Sequence, residues 1–265
     1  KGIFHENNII NECLCFMKKE LGLSGLPGYK VENVRHGLTI LETVFPEIAS
    51  EITEILKNYY IYEDQIIKPG GGKSPMVTAL EKGFKKTGWE KRNVEMEVLV
   101  DKIKKSFGSH EIDLYKEIDS DSIGVEIEWN NKNPFYERDL YLFQELHRLK
   151  DHFIGILITR GPGLEATFYD TFFKWAKLKI NDKNIDAVWK KVSAKKRPSV
   201  KRQIKNQPSR QVEFMTKAIV QSKYGTATTN WNKLMPLIHR NHGYPTPLIL
   251  IGICPERVKP YRAGK

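Results

Sequence analysis

Three acidic residues stand where they could act on one cation. In Gly124-Val125-Glu126-Ile127-Glu128-Trp129 the two glutamates are two positions apart. Read as a strand, this stretch puts Glu126 and Glu128 on one face and Val125, Ile127 and Trp129 on the other. Two like charges in a largely apolar strand repel and resist desolvation unless a cation sits between them. Asp113 lies upstream between Ile112 and Leu114, and a hairpin turning through 117–121 would bring its carboxylate against the pair. Three such oxygen donors suit a hard cation. Mg²⁺ is the natural occupant, because it takes one or two carboxylates and completes its shell with water and phosphate oxygens. The plain alternative is an amphipathic edge strand whose glutamates face solvent. Asp119 and Asp121 fall within the expected turn and read as solvated turn formers.

The elements that must position these residues follow from the apolar pattern. Leu38, Leu41, Phe45, Ile48, Ile52, Ile55 and Leu56 recur every three or four positions and predict one helix from Thr39 to Asn58. Pro69 and three glycines predict a loop over 66–73, and helix resumes at Pro75 and runs to about Thr87. Alternation at Val94, Met96, Val98 and Val100 predicts a strand followed by a turn over 101–108, then two strands over 111–115 and 122–130. A helix is expected over 134–150. The wholly apolar runs FIGILIT (153–159) and LILIGIC (248–254) predict central strands buried on both faces. The predicted class is therefore α/β, a central mixed β-sheet flanked by helices.

The 265 residues are 40% hydrophobic and 11% aromatic, which excludes wholesale disorder, and no internal repeat divides them. One domain is expected over 1–265, with a helical N-terminal part over about 1–90. The formal net charge of +11 points to a polyanionic partner. Cys13, Cys15 and Cys254 are too few for a disulfide framework and fit a reducing, cytoplasmic setting. No stretch approaches a membrane span, and no membrane partner is expected.

The cationic excess is uneven. Nine Lys or Arg and no Asp or Glu fall between Lys190 and Gln211, so this stretch is expected to be a basic insertion that neutralises phosphates through Lys195, Lys196, Arg197, Lys201 and Arg202. A solvated surface is the bland alternative. The segment KYGTATTNW offers Thr226, Thr228, Thr229 and Asn230 just before a helix over 232–238, where hydroxyls and helix amides suit phosphate or base edges; Thr228 or Thr229 as a simple helix cap is the alternative. Arg240 follows that helix beside His239 and His242, a pair that lacks the neighbours a zinc site needs.

With these residues in place, the chain resembles the BglII/BstYI group of Type II restriction endonucleases, of the PD-(D/E)XK nuclease fold. The resemblance runs from about Arg35 to Val258. It is carried by RHGLTILETVFPEI, SPMVTALEKGFKKTGWEKR, EIDLYK with GVEIEW, FYERDLYLFQELHRL, KYGTATTNWNKLMPLI and PTPLILIGICP. It implies a Mg²⁺-dependent enzyme that hydrolyses a short palindromic site in double-stranded DNA, leaving 5′-phosphate and 3′-hydroxyl ends, and a homodimer to match the palindrome. It assigns metal binding to Asp113, Glu126 and the backbone carbonyl of Ile127. Glu128 stands where the generic motif has Lys, as water-orienting group, base or further ligand. Glu81, on the second helix, would support the site. Should the hairpin pair in another register, Asp119 would compete for the Asp113 role. Two other classes remain: a structure-specific or repair nuclease of the same fold, and a non-catalytic nucleic-acid-binding module.

Overall fold

A computed structural model describes residues 22–68, 73–101, 103–131, 134–149, 152–225 and 228–260. The helices are α1 (Gly37–Val44), α2 (Pro46–Asn58), α3 (Glu63–Ile67), α4 (Pro75–Lys85), α5 (Pro134–Leu149), α6 (Leu164–Asn181), α7 (Ile185–Lys191), α8 (Arg197–Asn206), α9 (Gln211–Tyr224) and α10 (Trp231–His239). The strands are β1 (Tyr29–Val34), β2 (Ile61–Tyr62), β3 (Glu90–Val100), β4 (Ile103–Ile118), β5 (Asp121–Glu128), β6 (Phe153–Arg160), β7 (Leu248–Ile253) and β8 (Val258–Lys259). Six strands form one mixed sheet in the order β1-β7-β6-β5-β4-β3, as the α/β reading expected. The centre, β5-β6-β7, is parallel, and the remaining neighbours pair antiparallel. Strands β6 and β7 are buried at every position, which is why both read as unbroken apolar runs.

Two cores flank the sheet. On one face Val125, Ile127, Ile156 and Ile158 pack with Leu41, Ile52, Leu80, Phe168, Val200 and Ile219 from the surrounding helices. On the other, Leu157 and Leu250 pack with Tyr136, Leu140 and Phe143 of α5 and Leu234 and Ile238 of α10. Glycine sets how closely α5 approaches. Gly124 and Gly155 are register partners in β5 and β6, and a Cβ on Gly155 would lie 2.5 Å from a Phe143 ring carbon. Without side chains there, α5 settles directly onto the sheet.

Three expected boundaries are corrected. The predicted helix over 39–58 is two helices, because Pro46 has no N–H to donate and its ring crowds the preceding turn; Phe45 leaves helical geometry and α2 restarts with Pro46 in its first turn. The turn expected over 101–108 is confined to its beginning: Asp101 takes a left-handed conformation and β4 is already under way at Ile103. The later turn also tightens, since Ile118 pairs with Asp121 and only Asp119 and Ser120 lie between. Part of the loop expected over 66–73 falls outside the described residues, as 69–72 do.

Candidate active site

The site forms where a sheet comes apart. Strands β4 and β5 pair from the turn as far as Leu114↔Val125. Beyond that point β5 continues beside β6 to Glu128↔Thr159, while β4 continues beside β3. Continuing the β4–β5 register by one step would set Asp113 opposite Glu126, so both lie in the crotch of the fork. A bulge helps open it. From Arg92↔Ile112 to Glu90↔Tyr115, β4 advances three residues while β3 advances two, and the extra residue turns the Asp113 side chain. The Ile127 N–H, deprived of a β4 carbonyl, donates to Asp113 Oδ2 at 3.1 Å.

Glu126 and Glu128 are each only 2% exposed, which removes the solvent-facing alternative for this strand. Asp119 is exposed in the tight turn, left-handed and remote from Glu126, so it drops out as a rival to Asp113. Glu81 is buried on α4 and ion-paired with Lys73. Leu80 and Phe84 of the same helix share a core with Leu114 of β4, which sets α4 against the strand that carries Asp113.

Two residues not expected from the sequence complete the cluster. Asp139, fully buried on α5, sits one helical turn before Phe143 on the same face, and the close seating of Phe143 over Gly155 carries it down to the glutamates. His110 of β4 lies with Nε2 at 3.1 Å from Glu126 Oε1 and 3.5 Å from Asp139 Oδ1. In sequence, Asp139 reads as one polar residue of an amphipathic helix and His110 as one of seven histidines; neither carries a local signal. Arg138 binds Asp139 Oδ1 through Nε (3.1 Å) and Nη2 (3.0 Å) while remaining half-exposed.

Burial dominates the electrostatics. It pushes Glu126 well above the usual carboxylate range, with the charges of Asp139, Asp113 and Glu128 adding to the rise. It raises Glu128 to about 8, again with Asp139 adding, and Asp139 to about 6 against the pull of Arg138. It lowers His110 to about 4, so its contacts at neutral pH come from an uncharged imidazole. Glu128 receives Asn131 Nδ2 on Oε1 at 3.2 Å. Glu128 Oε2 and Asp139 Oδ2 are buried and find no hydrogen-bond donor among the described residues except each other, when one of the two carboxyl groups is protonated. Buried carboxylate oxygens left this way are costly, and an oxygen-rich donor set of this charge fits a hard divalent cation.

The other expected contacts divide. Lys195, Lys201, Arg202 and Arg240 are exposed. Lys196 bonds Gln221 at 2.8 Å, and Arg197 bonds the carbonyls of Val192 and Trp189. The 190–211 stretch is helical, and Val188, Val192 and Val200 anchor it in the core on the Val125–Ile127 face, opposite α5. Thr226 lies outside the described residues. Thr228 and Thr229 turn inward, which corrects their expected role as open hydroxyls. Thr228 Oγ1 accepts from Arg160 Nη2 at 2.6 Å and Thr229 is fully buried. Neither caps α10, whose N-cap position is Asn230. Asn230 itself bonds the Thr228 carbonyl at 2.9 Å. The organiser is Arg160 at the end of β6, which also donates to the carbonyls of Trp129, Tyr224 and Thr229. It ties Tyr224, Thr228 and Thr229 to the strand end beside Glu128.

A mixed α/β sheet with buried carboxylates gathered in the fork of the β4–β5 hairpin offers an oxygen-rich donor set that fits a divalent cation. The family model for restriction endonuclease BglII/BglIII matches residues 29–253, and the chain belongs to that family. It is a Type II restriction endonuclease, a hydrolase that binds and cuts DNA. No curated protein matches the chain. Among the described residues no helix is long and apolar enough to cross a membrane.

Proposed function

We propose that the protein cleaves a short palindromic site in double-stranded DNA as a homodimer, using Mg²⁺ held by Asp113, Glu126 and the Ile127 carbonyl, and leaves 5′-phosphate and 3′-hydroxyl ends in the cytoplasm. The observation that carries this reading is the fork itself: Asp113 fixed to the Ile127 amide, with Glu126 and Glu128 buried beside it. When bound, the ion supplies a water of lowered pKa and polarises a phosphoryl oxygen. The chain does the rest. Asp113 is held by its bond to the Ile127 N–H, which also orients the adjoining peptide. Glu128, steadied by Asn131 and ionised once the bound cation offsets its burial, orients the attacking water and accepts its proton. Glu81 of α4 and Lys73, which lies just before that helix, pair and flank the Asp113 side of the fork.

Lys195, Lys201, Arg202 and Arg240 serve as phosphate contacts, with Lys196 and Arg197 released from their internal partners as DNA docks. Asn230 and Thr226 belong to the segment that reaches the duplex, while Thr228 and Thr229 hold that segment's shape. Digestion of a long plasmid with Mg²⁺ tests the reading. A fixed set of fragments whose ends ligate without prior phosphorylation is expected; a continuous smear, or ends that require phosphorylation, would reject it.

A further inference from the structure

We propose that Glu126 serves two cations, and that a second site, built from His110 Nε2, Glu126 Oε1 and Asp139, takes a borderline transition-metal ion such as Mn²⁺ or Zn²⁺ in preference to Mg²⁺. The inference shares Glu126 with the Mg²⁺ reading but rests on other residues. His110 Nε2, a Glu126 oxygen and an Asp139 oxygen all lie within 4.8 Å of one another. Their shorter separations, 3.1 and 3.5 Å, match ligand edges around a single ion: bonds of roughly 2.0–2.2 Å at octahedral to tetrahedral angles place neighbouring ligand atoms about 2.8–3.6 Å apart.

The surroundings point the same way. Asp139 is fully buried, and its Oδ2 and the buried Oε2 of neighbouring Glu128 have no donor among the described residues except each other. Arg138 donates to the same Asp139 Oδ1 that lies 3.5 Å from His110 Nε2, which orients the carboxylate toward the histidine, and its oxygens keep lone pairs for an ion. An imidazole beside two carboxylates is a donor set for Mn²⁺ or Zn²⁺, whereas Mg²⁺ favours oxygen alone. Such an ion would link β4, β5 and α5, the three elements meeting at the fork.

The test uses the DNA-free protein and Mn²⁺ as the probe. Calorimetric titration should give two Mn²⁺ equivalents for the native chain, and pulsed electron paramagnetic resonance of the bound metal should show coupling to an imidazole nitrogen. His110→Gln should lose that coupling and one equivalent, or weaken it at least about tenfold, and Asp139→Asn should weaken the same equivalent. Asp113→Asn should lose the other and keep the nitrogen signal. Absence of nitrogen coupling in the native protein overturns the proposal whatever the variants do. Unchanged Mn²⁺ binding by a folded His110→Gln, with loss in Asp113→Asn, overturns it while sparing the Mg²⁺ reading; the converse pattern supports it and rejects the Mg²⁺ assignment.

Discussion

The fork and the basic helices lie on opposite sides of one sheet and are built on opposite principles. At the fork, carboxyl groups are buried: Glu126, Glu128 and Asp139 sit in the protein, and Glu128 Oε2 and Asp139 Oδ2 lack a donor among the described residues other than each other. Across the sheet, α7 and α8 anchor themselves through Val188 and Val200 and hold Lys201 and Arg202 in solvent. Buried like charges cost stability unless a ligand compensates them, so under the proposed reading the fork depends on the ion it holds. Exposed cations cost little and act by number, so the basic helices tolerate change. A single substitution should therefore be severe at the fork and graded on the basic face.

The largest effect expected beyond the proposed metal ligands is at Glu128. Glu128→Ala should lower single-turnover DNA cleavage by about 10²–10⁴-fold, the range of a lost general base, with DNA affinity little changed. A loss confined to affinity would move Glu128 out of the chemistry. Next comes Arg160, whose guanidinium joins strand ends to Tyr224 and Thr229. Arg160→Met leaves several buried carbonyls without a donor and should cost about 3 kcal/mol in denaturant unfolding, at roughly 1–3 kcal/mol per orphaned group with partial relaxation. Faster proteolysis near Gly225 should accompany it.

The fork also makes stability depend on pH once metal is stripped. Glu128 and Asp139 have folded values, about 8 and about 6, above their ordinary ones. Groups raised this way favour the folded state when protonated, so their contribution is present at low pH and is lost as pH climbs through those values. In chelator, thermal melting should occur at lower temperature at pH 8 than at pH 5, and added Mg²⁺ should recover more at pH 8. A metal-free protein equally stable at both would contradict the burial assigned to the pair. The smallest effect belongs to the basic face. Lys201→Ala or Arg202→Ala should each reduce the slope of log affinity against log salt by about one, with cleavage at saturating protein unchanged; an unaltered slope would remove that residue from the phosphate contacts.

What the sequence revealed follows the same divide. Glu126 and Glu128 were legible because strand alternation is local: two positions apart in an apolar run means one face. The buried strands β6 and β7 were legible from their continuous hydrophobicity. Asp139 and His110 were not, because what brings them in is tertiary: α5 seated over Gly124 and Gly155 delivers Asp139, and the extension of β4 beyond the fork carries His110. Thr228 and Thr229 misled for a related reason. Their hydroxyl chemistry suits DNA, but the buried Arg160 that turns them inward lies about seventy residues earlier. Pro46 did carry a local signal, yet the hydrophobic period runs straight through it and hides the break between α1 and α2.

The central claim is that Asp113 and Glu126 together hold the ion that cuts DNA. It is tested most directly by measuring plasmid cleavage in Mg²⁺ for the native protein and for Asp113→Ala at protein concentrations that saturate the DNA. Loss of metal-based stabilisation worth several kcal/mol predicts a fall of roughly a thousandfold in rate with binding retained. Cleavage by Asp113→Ala at the native rate would contradict the account.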